Sequence, residues 1–347
     1  MFTVICQERL KLPAQMGDLV EELRLYPNHG DMRSVRPTIR AIEMTLRMDE
    51  FGETDGSKGE DAVRRDLPPL HIEAFWSEMR DKWPCLLSGD VETPSPGPDE
   101  LMGELVVIFQ KLETHFHDTL KSTAPDPRHD GAFGLTLYGL TFLLNATHGW
   151  AATRPEGRVM LRTITETFIT LHYLSGKDDP ALWEQYRRYG SGQAKLAFLK
   201  NIREADTPEY LDLHVMEHLA NEDMWMEFED INLGNWANTN LRSMAETSGV
   251  KDVYDKFYDW SSGYAHGQWI SVRDTVFTNC LNSLHRFHRV PSLPKSRMPS
   301  VLSDGCKLAN RMLDDLNHLY PTFKERIKWH NLRQTKSPGH AKQPASE

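Results

Sequence analysis

Apolar residues recur every three to four positions through most of the chain, which places them on one face of an α-helix. Helix-favouring residues dominate these stretches, short Pro, Gly and Asp breaks separate them, and alternating β-branched runs are rare. The pattern predicts helices over residues 99–122, 133–150, 155–175, 180–203, 208–229, 250–266, 269–289 and 298–329. This many helices with short connections predicts an all-α fold, a multi-helix bundle.

The first part of the chain has a different character. Residues 48–69 are acidic and contain glycine, residues 88–98 are rich in Pro, Gly and Ser, and a short amphipathic segment lies between them at 71–83. We therefore predict an accessory region of short helices with flexible loops over 1–98. The bundle domain is predicted over 99–330, and a disordered tail over 331–347.

The predicted helix that starts near Pro155 is apolar on nearly every side. Leu161, Ile164, Phe168 and Leu171 form one face, while Arg162 and Glu166 share a second face with Ile169 and Tyr173. Such a helix belongs in the middle of a bundle, so the two charged residues are expected to be buried or to line a cleft. Their i,i+4 spacing allows them to neutralise each other.

The predicted helix over 250–266 carries a second polar row. Tyr258, Ser262 and His266 follow one another at i, i+4 and i+8, and Gly267 ends or bends the helix just after His266. If the two helices pack together, these residues could meet Arg162 and Glu166 in one polar cluster. The cluster has two interpretations, an active or ligand-binding site and a structural network that fixes helix register.

Composition narrows the class of protein. Hydrophobic residues make up 39% and charged residues 26%, as in a globular protein, and the formal charge of −10 argues against a surface generally coated for nucleic acid. The apolar run at the N-terminus is too short for a signal peptide and no apolar stretch is long enough for a membrane span, so we expect a cytoplasmic protein without membrane contact. The four cysteines, Cys6, Cys85, Cys280 and Cys306, are scattered and suggest neither a disulfide framework nor a zinc knuckle.

No cofactor motif and no metal site is predicted. His214, Glu217 and His218 have the H-x-x-E-H spacing of inverted zinc proteases, but no third-ligand segment is visible. The tryptophans are interpreted as core residues rather than as platforms for stacking bases; they are Trp183, Trp225, Trp236, Trp260 and Trp269.

Three short motifs of the bundle carry a resemblance. They are Arg162-x3-Glu166 with Tyr173-Leu174, Tyr186-Arg187-x-Tyr189, and Tyr258-x3-Ser262-x-Tyr264-Ala265-His266. Over about residues 100–290 the chain resembles a bacterial family of helical proteins catalogued as a domain of unknown function. That family is similar to the HEPN group (higher eukaryotes and prokaryotes nucleotide-binding).

The HEPN resemblance implies a dimeric, metal-independent ribonuclease of a toxin or phage-defence system that acts on RNA or a nucleotide. HEPN enzymes have an Arg followed, after four to six residues, by a His, and Arg311 and His318 have this form, with Met312 where the family has a polar residue. His266 or His318 would then be the base and Arg162 or Arg311 would stabilise charge on the phosphate. The alternative is a non-catalytic bundle that binds a partner protein, with the polar cluster structural.

Overall fold

The structure is a computed structural model that describes residues 39, 42, 70–87, 98–202, 208–221, 236, 237, 239–286, 288–291 and 298–329. Its α-helices are α1 (Leu70–Lys82), α2 (Asp99–Thr119), α3 (Pro127–Thr147), α4 (Pro155–Lys177), α5 (Pro180–Asn201), α6 (Leu213–Asn221), α7 (Leu241–Thr247), α8 (Lys251–Val253, a π-helical turn Tyr254–Tyr258, and Asp259–Ala265), α9 (Trp269–Val276) and α10 (Leu302–Leu319). Short 3-10 turns cover Ala151–Thr153 and Ser283–His285. Strands β1 (Phe277–Asn279) and β2 (Arg289–Pro291) pair as an antiparallel hairpin, with Thr278 opposite Val290. The predicted all-α, multi-helix fold is confirmed.

The chain divides into two compact units. The smaller unit is discontinuous and takes in Met1–Thr93 and Trp269–Arg297, and the larger unit takes in Pro94–Gln268 and Met298–Glu347. The domain boundaries predicted after residues 98 and 330 remain predictions. The predicted tail at 331–347 and the loops at 48–69 and 88–97 lie outside the described residues.

Helix α4 lies at the centre of the larger unit. It packs against α3, α7, α8 and α10, as its nearly continuous apolar surface predicts. Ile164, Phe168 and Leu171 are buried, as is Trp183 on α5. The absence of a side chain at Gly139 on α3 leaves room for Met312 of α10, because a methyl group there would lie 2.7 Å from the terminal carbon of Met312.

Local sequence signals fix where α3 and α5 begin. The Asp126 carboxylate accepts from the backbone N–H groups of Arg128 and His129, and Pro127 occupies the first turn. Asp179 caps α5 in the same way ahead of Pro180. Asp178, with a φ of 43°, instead ends α4 in the left-handed conformation.

The prediction of one helix over 269–289 is wrong for the second half of that range. Only Trp269–Val276 is helical, and the hairpin and a 3-10 turn follow. The strands are three residues long, too short for alternation to be recognised, and no glycine marks the reversal. Arg286 adopts the left-handed conformation there instead, with a φ of 48°.

The predicted helix over 298–329 is shorter in the structure, where α10 ends at Leu319. The chain after it runs along the bundle without helical structure until Trp329. The Asn310 side chain both donates to the carbonyl of Ile327 and accepts from its N–H, and the Glu104 carboxylate accepts from the N–H of Lys328. These side chains satisfy backbone groups that a helix would otherwise satisfy internally.

Candidate functional site

Arg162 and Glu166 form an ion pair on α4. Their closest nitrogen–oxygen distance is 2.9 Å, and the two side chains are 18% and 33% exposed. The pair therefore lines a solvent-reachable surface rather than the closed core. A half-buried guanidinium of this kind keeps part of its charge available to an anion from solution.

Tyr258 of α8 completes the contact. Its hydroxyl lies 3.1 Å from Nη2 of Arg162, and the guanidinium carbon lies 5.0 Å from the centre of its ring. Tyr254 stacks on Tyr258 at 4.8 Å. Nε of Arg162 is buried and has no hydrogen-bond partner among the described residues. Arg162, Glu166 and Tyr258 are called the α4–α8 cluster below.

The α4–α8 cluster coincides with an irregularity in α8. The turn Tyr254–Tyr258 is π-helical, and it ends at the residue that contacts Arg162. A π-helical turn carries one extra residue and occurs frequently at functional sites, where it changes the direction of a side chain. The π-helical turn, which is not needed for packing two regular helices, thus lies directly at the α4–α8 cluster.

Ser262 and His266 lie further along α8. Ser262 is half-buried, and His266 is exposed at the C-terminal end, where its N–H donates to the Ser262 carbonyl at 3.2 Å. Gly267, with a φ of 61°, follows the helix end as predicted. Among the described contacts, none joins the side chain of Ser262 or His266 to Arg162 or Glu166, so three of the five predicted residues meet directly.

The second predicted pair is arranged differently. The Arg311 guanidinium lies 4.5 Å from the centre of the Phe168 ring, on the α4 side of α10. The pKa of Asp252 is lowered chiefly by Lys256, with a smaller contribution from the charge of Arg311. Arg311 therefore lies beside α4, the helix that carries Arg162.

His318, the partner predicted for Arg311, is exposed near the end of α10. Its charge contributes to the lowered pKa of Asp178, which is set mainly by a hydrogen bond from Arg128. Asp315 lies between Arg311 and His318 in the sequence. One of its carboxylate oxygens is 2.9 Å from Nδ1 of His172. No described contact joins Arg311 to His318.

His214 and His218 lie on α6 with their rings 4.6 Å apart, and both are exposed. Within the described residues, no group of three candidate metal ligands includes them. Among the tryptophans, Trp183 is fully buried, as predicted, and Trp236 packs partly buried against the core. The core interpretation is wrong for Trp260 and Trp269, which are 56% and 57% exposed. Trp225 lies outside the described residues.

The smaller unit contains a group of side chains that the sequence analysis did not identify. Cys85, Cys280, His285 and His288 each offer one ligand atom, and these four atoms lie within 4.8 Å of one another. Sγ of Cys85 is 3.2 Å from Nε2 of His288, and Sγ of Cys280 is 3.4 Å from Nδ1 of His285. We call this group the Cys2His2 cluster.

A local signal for three members of the cluster is present in the sequence. Cys280, His285 and His288 follow one another within nine residues and belong to the loop of the β1–β2 hairpin. Cys85 comes from a distant segment and is brought there by folding. Burial raises the pKa of the Cys280 thiol and lowers that of the His285 imidazole.

A cleft of about 470 Å³ adjoins the cluster, between α1 and the hairpin loop. His285 and His288 are part of its lining, together with Arg286. The Arg286 guanidinium donates to both carboxylate oxygens of Glu73 at 3.0 and 3.1 Å and lies 5.1 Å from the Trp76 ring. The half-buried His288 can therefore be reached from solution through this cleft, while His285 is buried at its wall.

Of the described helices, none is both long and apolar enough to cross a bilayer. The family comparison matches residues 146–280 to a family of unknown function (DUF5677). The match includes Arg162, Glu166, Tyr258, Ser262 and His266, and excludes Arg311 and His318. No curated protein and no solved structure matches the chain. The predicted similarity to an uncharacterised domain family is thus confirmed over residues 146–280.

Proposed function

We propose that the larger unit acts on RNA or a nucleotide, as a HEPN-like, metal-independent ribonuclease of a toxin or defence system. The observation that carries the proposal is the partly exposed Arg162, held by Glu166 and Tyr258 at the surface of the bundle. A planar guanidinium fixed on two sides is preorganised to bind a phosphate through its remaining donors. In this proposal Arg162 is the phosphate ligand and Glu166 and Tyr258 are positioning residues.

His266 is the proposed base. It is exposed, and it lies eight residues beyond Tyr258 on α8, about 12 Å along the helix axis. The base removes the proton from a ribose 2′-hydroxyl, and the 2′-oxygen attacks the adjacent phosphorus. The phosphorus–O5′ bond breaks, and the 5′-oxygen takes up a proton from solvent. The products are a 2′,3′-cyclic phosphate and a 5′-hydroxyl end, and no metal ion enters the reaction.

Arg311 is a second candidate for charge stabilisation. It reaches the α4 surface from α10 and acts on Asp252, which lies on the same helix as Tyr258. His318 is the alternative base. A HEPN-like protein acting as a homodimer would bring a second copy of these residues to the substrate.

An RNA cleavage assay tests the proposal. The full-length protein is incubated with a labelled single-stranded RNA in buffer without added divalent metal, and the product ends are identified. We expect cyclic phosphate ends, and we expect them to be lost in Arg162→Lys and in either His266→Ala or His318→Ala. Arg242→Lys is the matched control, because Arg242 forms the same i,i+4 ion pair with Glu246 on the surface of α7.

Intact RNA after incubation with folded wild-type protein would refute the nuclease activity. Unchanged cleavage by both histidine variants would refute the assigned base. Equal losses in Arg162→Lys and Arg242→Lys would show that Arg162 has no special role.

The second candidate function is a non-catalytic bundle that binds a partner protein. The exposed Trp260 favours it, because residue 260 lies about 200° around α8 from Tyr258 and so faces away from the α4–α8 cluster. A large exposed tryptophan is enriched at protein interfaces. In that case Trp260→Ala abolishes partner binding, while Arg162→Lys only alters stability.

A further inference from the structure

We propose that Cys85, Cys280, His285 and His288 bind a single zinc ion, which links the segment after α1 to the β1–β2 hairpin. Two thiolates and two imidazoles are a common ligand set of structural zinc sites. The proposal concerns the smaller unit and is independent of the RNA-directed function proposed for the larger one.

The distances within the cluster agree with a tetrahedral site. With Zn–S near 2.3 Å and Zn–N near 2.0–2.1 Å, tetrahedral geometry places a sulfur and a nitrogen ligand about 3.6 Å apart. The two sulfur–nitrogen distances are 3.2 and 3.4 Å, and the largest separation of ligand atoms is at most 4.8 Å. A thiol–imidazole hydrogen bond explains each pair alone, but it does not require both pairs to converge on one point.

The backbone around the cluster holds the ligands in place. The Cys280 N–H donates to the His288 carbonyl at 3.0 Å, and the His288 N–H donates to the His285 carbonyl at 2.9 Å. These bonds close the loop that carries three of the ligands. The loop geometry is therefore set by backbone hydrogen bonds and does not depend on the ion alone.

Cys85 is brought to the loop by two further bonds. The Leu281 N–H donates to the Leu86 carbonyl at 2.7 Å, and the Asn282 side chain donates to the Pro84 carbonyl at 3.1 Å. Both flanking residues of Cys85 are thus attached to the hairpin loop. These bonds place the Cys85 thiol near that of Cys280, although the two cysteines are far apart in the sequence.

Four protein ligands fill the coordination shell of zinc, which is the arrangement of a structural rather than a catalytic site. The ion would tie the segment after α1 to the hairpin loop that contributes Leu284 to the buried apolar cluster of this unit; among the described residues the cluster also contains Ile42, Ile72, Phe75, Trp76 and Met79.

The exposure of the ligands allows an ion to enter. Cys280 and His285 are buried, whereas Cys85 is exposed and His288 is half-buried at the neighbouring cleft. Zinc can therefore bind first to Cys85 and His288 from solution, and Cys280 and His285 then complete its coordination shell. The exposed ligand also makes a clean test, because its replacement removes a donor without opening the core.

Metal analysis of the full-length protein tests the proposal. The protein is purified under reducing conditions, and its zinc content is measured by mass spectrometry for wild type, Cys85→Ser and His288→Asn. The matched control is the double variant His214→Asn, His218→Asn, which removes the other close histidine pair. We expect one zinc per chain in wild type and control, and loss of stoichiometric zinc in both ligand variants.

Cobalt substitution keeps the test decisive if a variant fails to fold. Wild-type protein stripped of metal is titrated with Co²⁺, and tetrahedral binding by two thiolates gives visible ligand-field bands and near-ultraviolet sulfur-to-cobalt charge-transfer bands. Absence of both zinc and these bands in wild type would overturn the proposal. Zinc retained by both folded ligand variants, or a Cys85–Cys280 disulfide in place of bound metal, would overturn it equally.

Discussion

Sγ of Cys85 lies 3.2 Å from Nε2 of His288, although 203 positions of sequence separate the two residues. Cys306 has the opposite environment, because it is fully buried on α10 and burial raises the pKa of its thiol to about 12. Thiolates are the reactive form of cysteine, so burial makes Cys306 unreactive, whereas the Cys85 thiol is accessible.

Thiol labelling of the native protein should separate these cysteines. We expect Cys306 to remain unmodified by iodoacetamide until the protein is unfolded. Cys85 should react slowly in the protein as purified and faster after a chelator is added, because zinc removal frees its sulfur. Labelled peptides are quantified by mass spectrometry. Rapid labelling of Cys306 in the folded state would contradict the buried position assigned to it.

The stability of the larger unit should depend on the charge of Asp178. Nε and Nη2 of Arg128 donate to its two carboxylate oxygens at 2.6 and 2.8 Å, and this contact lowers the pKa of Asp178. A lowered folded-state pKa gives stabilisation that is present above the unfolded-state value, near 4, and lost as the pH falls through the folded-state value. Because the carboxylate is partly exposed, the contribution is modest.

Urea unfolding between pH 3 and pH 7 measures this effect, with Asp178→Asn as the variant. Asparagine tolerates the left-handed conformation of residue 178, so the substitution removes mainly the charge. We expect the variant to be less stable than wild type at pH 7, by a difference that shrinks as the pH falls below about 4. Asp130→Asn, at an exposed position of α3, is the control. A constant difference across the pH range would show that the charge is not responsible.

Two helical glycines should respond to alanine in opposite directions. Gly103 is exposed on α2 and has open space around it, so Gly103→Ala should stabilise the protein by up to about 1 kcal/mol. At Gly157, near the start of α4, a methyl group would lie 2.6 Å from the carbonyl oxygen of Ala151. We expect Gly157→Ala to destabilise by about 1–3 kcal/mol.

Thermal or urea unfolding of these two variants checks the close contact that positions the beginning of α4. That helix carries Arg162 five residues later, so the packing is directly relevant to the candidate site. Equal stabilities for the two variants would mean that the 3-10 turn Ala151–Thr153 does not press against α4 as described.

The helical part of the fold could be predicted because its signals are local. The apolar surface around Phe168 places α4 in the centre, and the capping residue Asp179 marks the start of α5. The hairpin could not be predicted in this way. Its strands span three residues each, and its reversal uses Arg286 in a conformation that arginine rarely adopts.

The candidate sites, too, could be predicted from the sequence only where the signals are local. The i,i+4 spacing of Arg162 and Glu166 predicts their ion pair, and helix periodicity places Tyr258 on a polar row, but only the fold shows that Tyr258 contacts Arg162. The Cys2His2 cluster depends on Cys85 meeting a loop nearly two hundred residues later. Sequence separation of that size carries no periodic signal, so the scattered cysteines gave no indication of it.

The central claim is that Arg162 binds a phosphate, and the affinity for a non-cleavable RNA tests it most directly. Kd for a 2′-O-methyl oligonucleotide is measured for wild type, Arg162→Lys, Glu166→Gln and the control Arg242→Lys. A hydrogen bond to a charged group contributes about 1.5–3 kcal/mol, so Arg162→Lys should weaken binding about tenfold or more. Glu166→Gln should also weaken binding, because it removes the charged partner that positions the Arg162 guanidinium. Affinities that are the same for all four proteins, or no binding by folded wild type, would contradict the account.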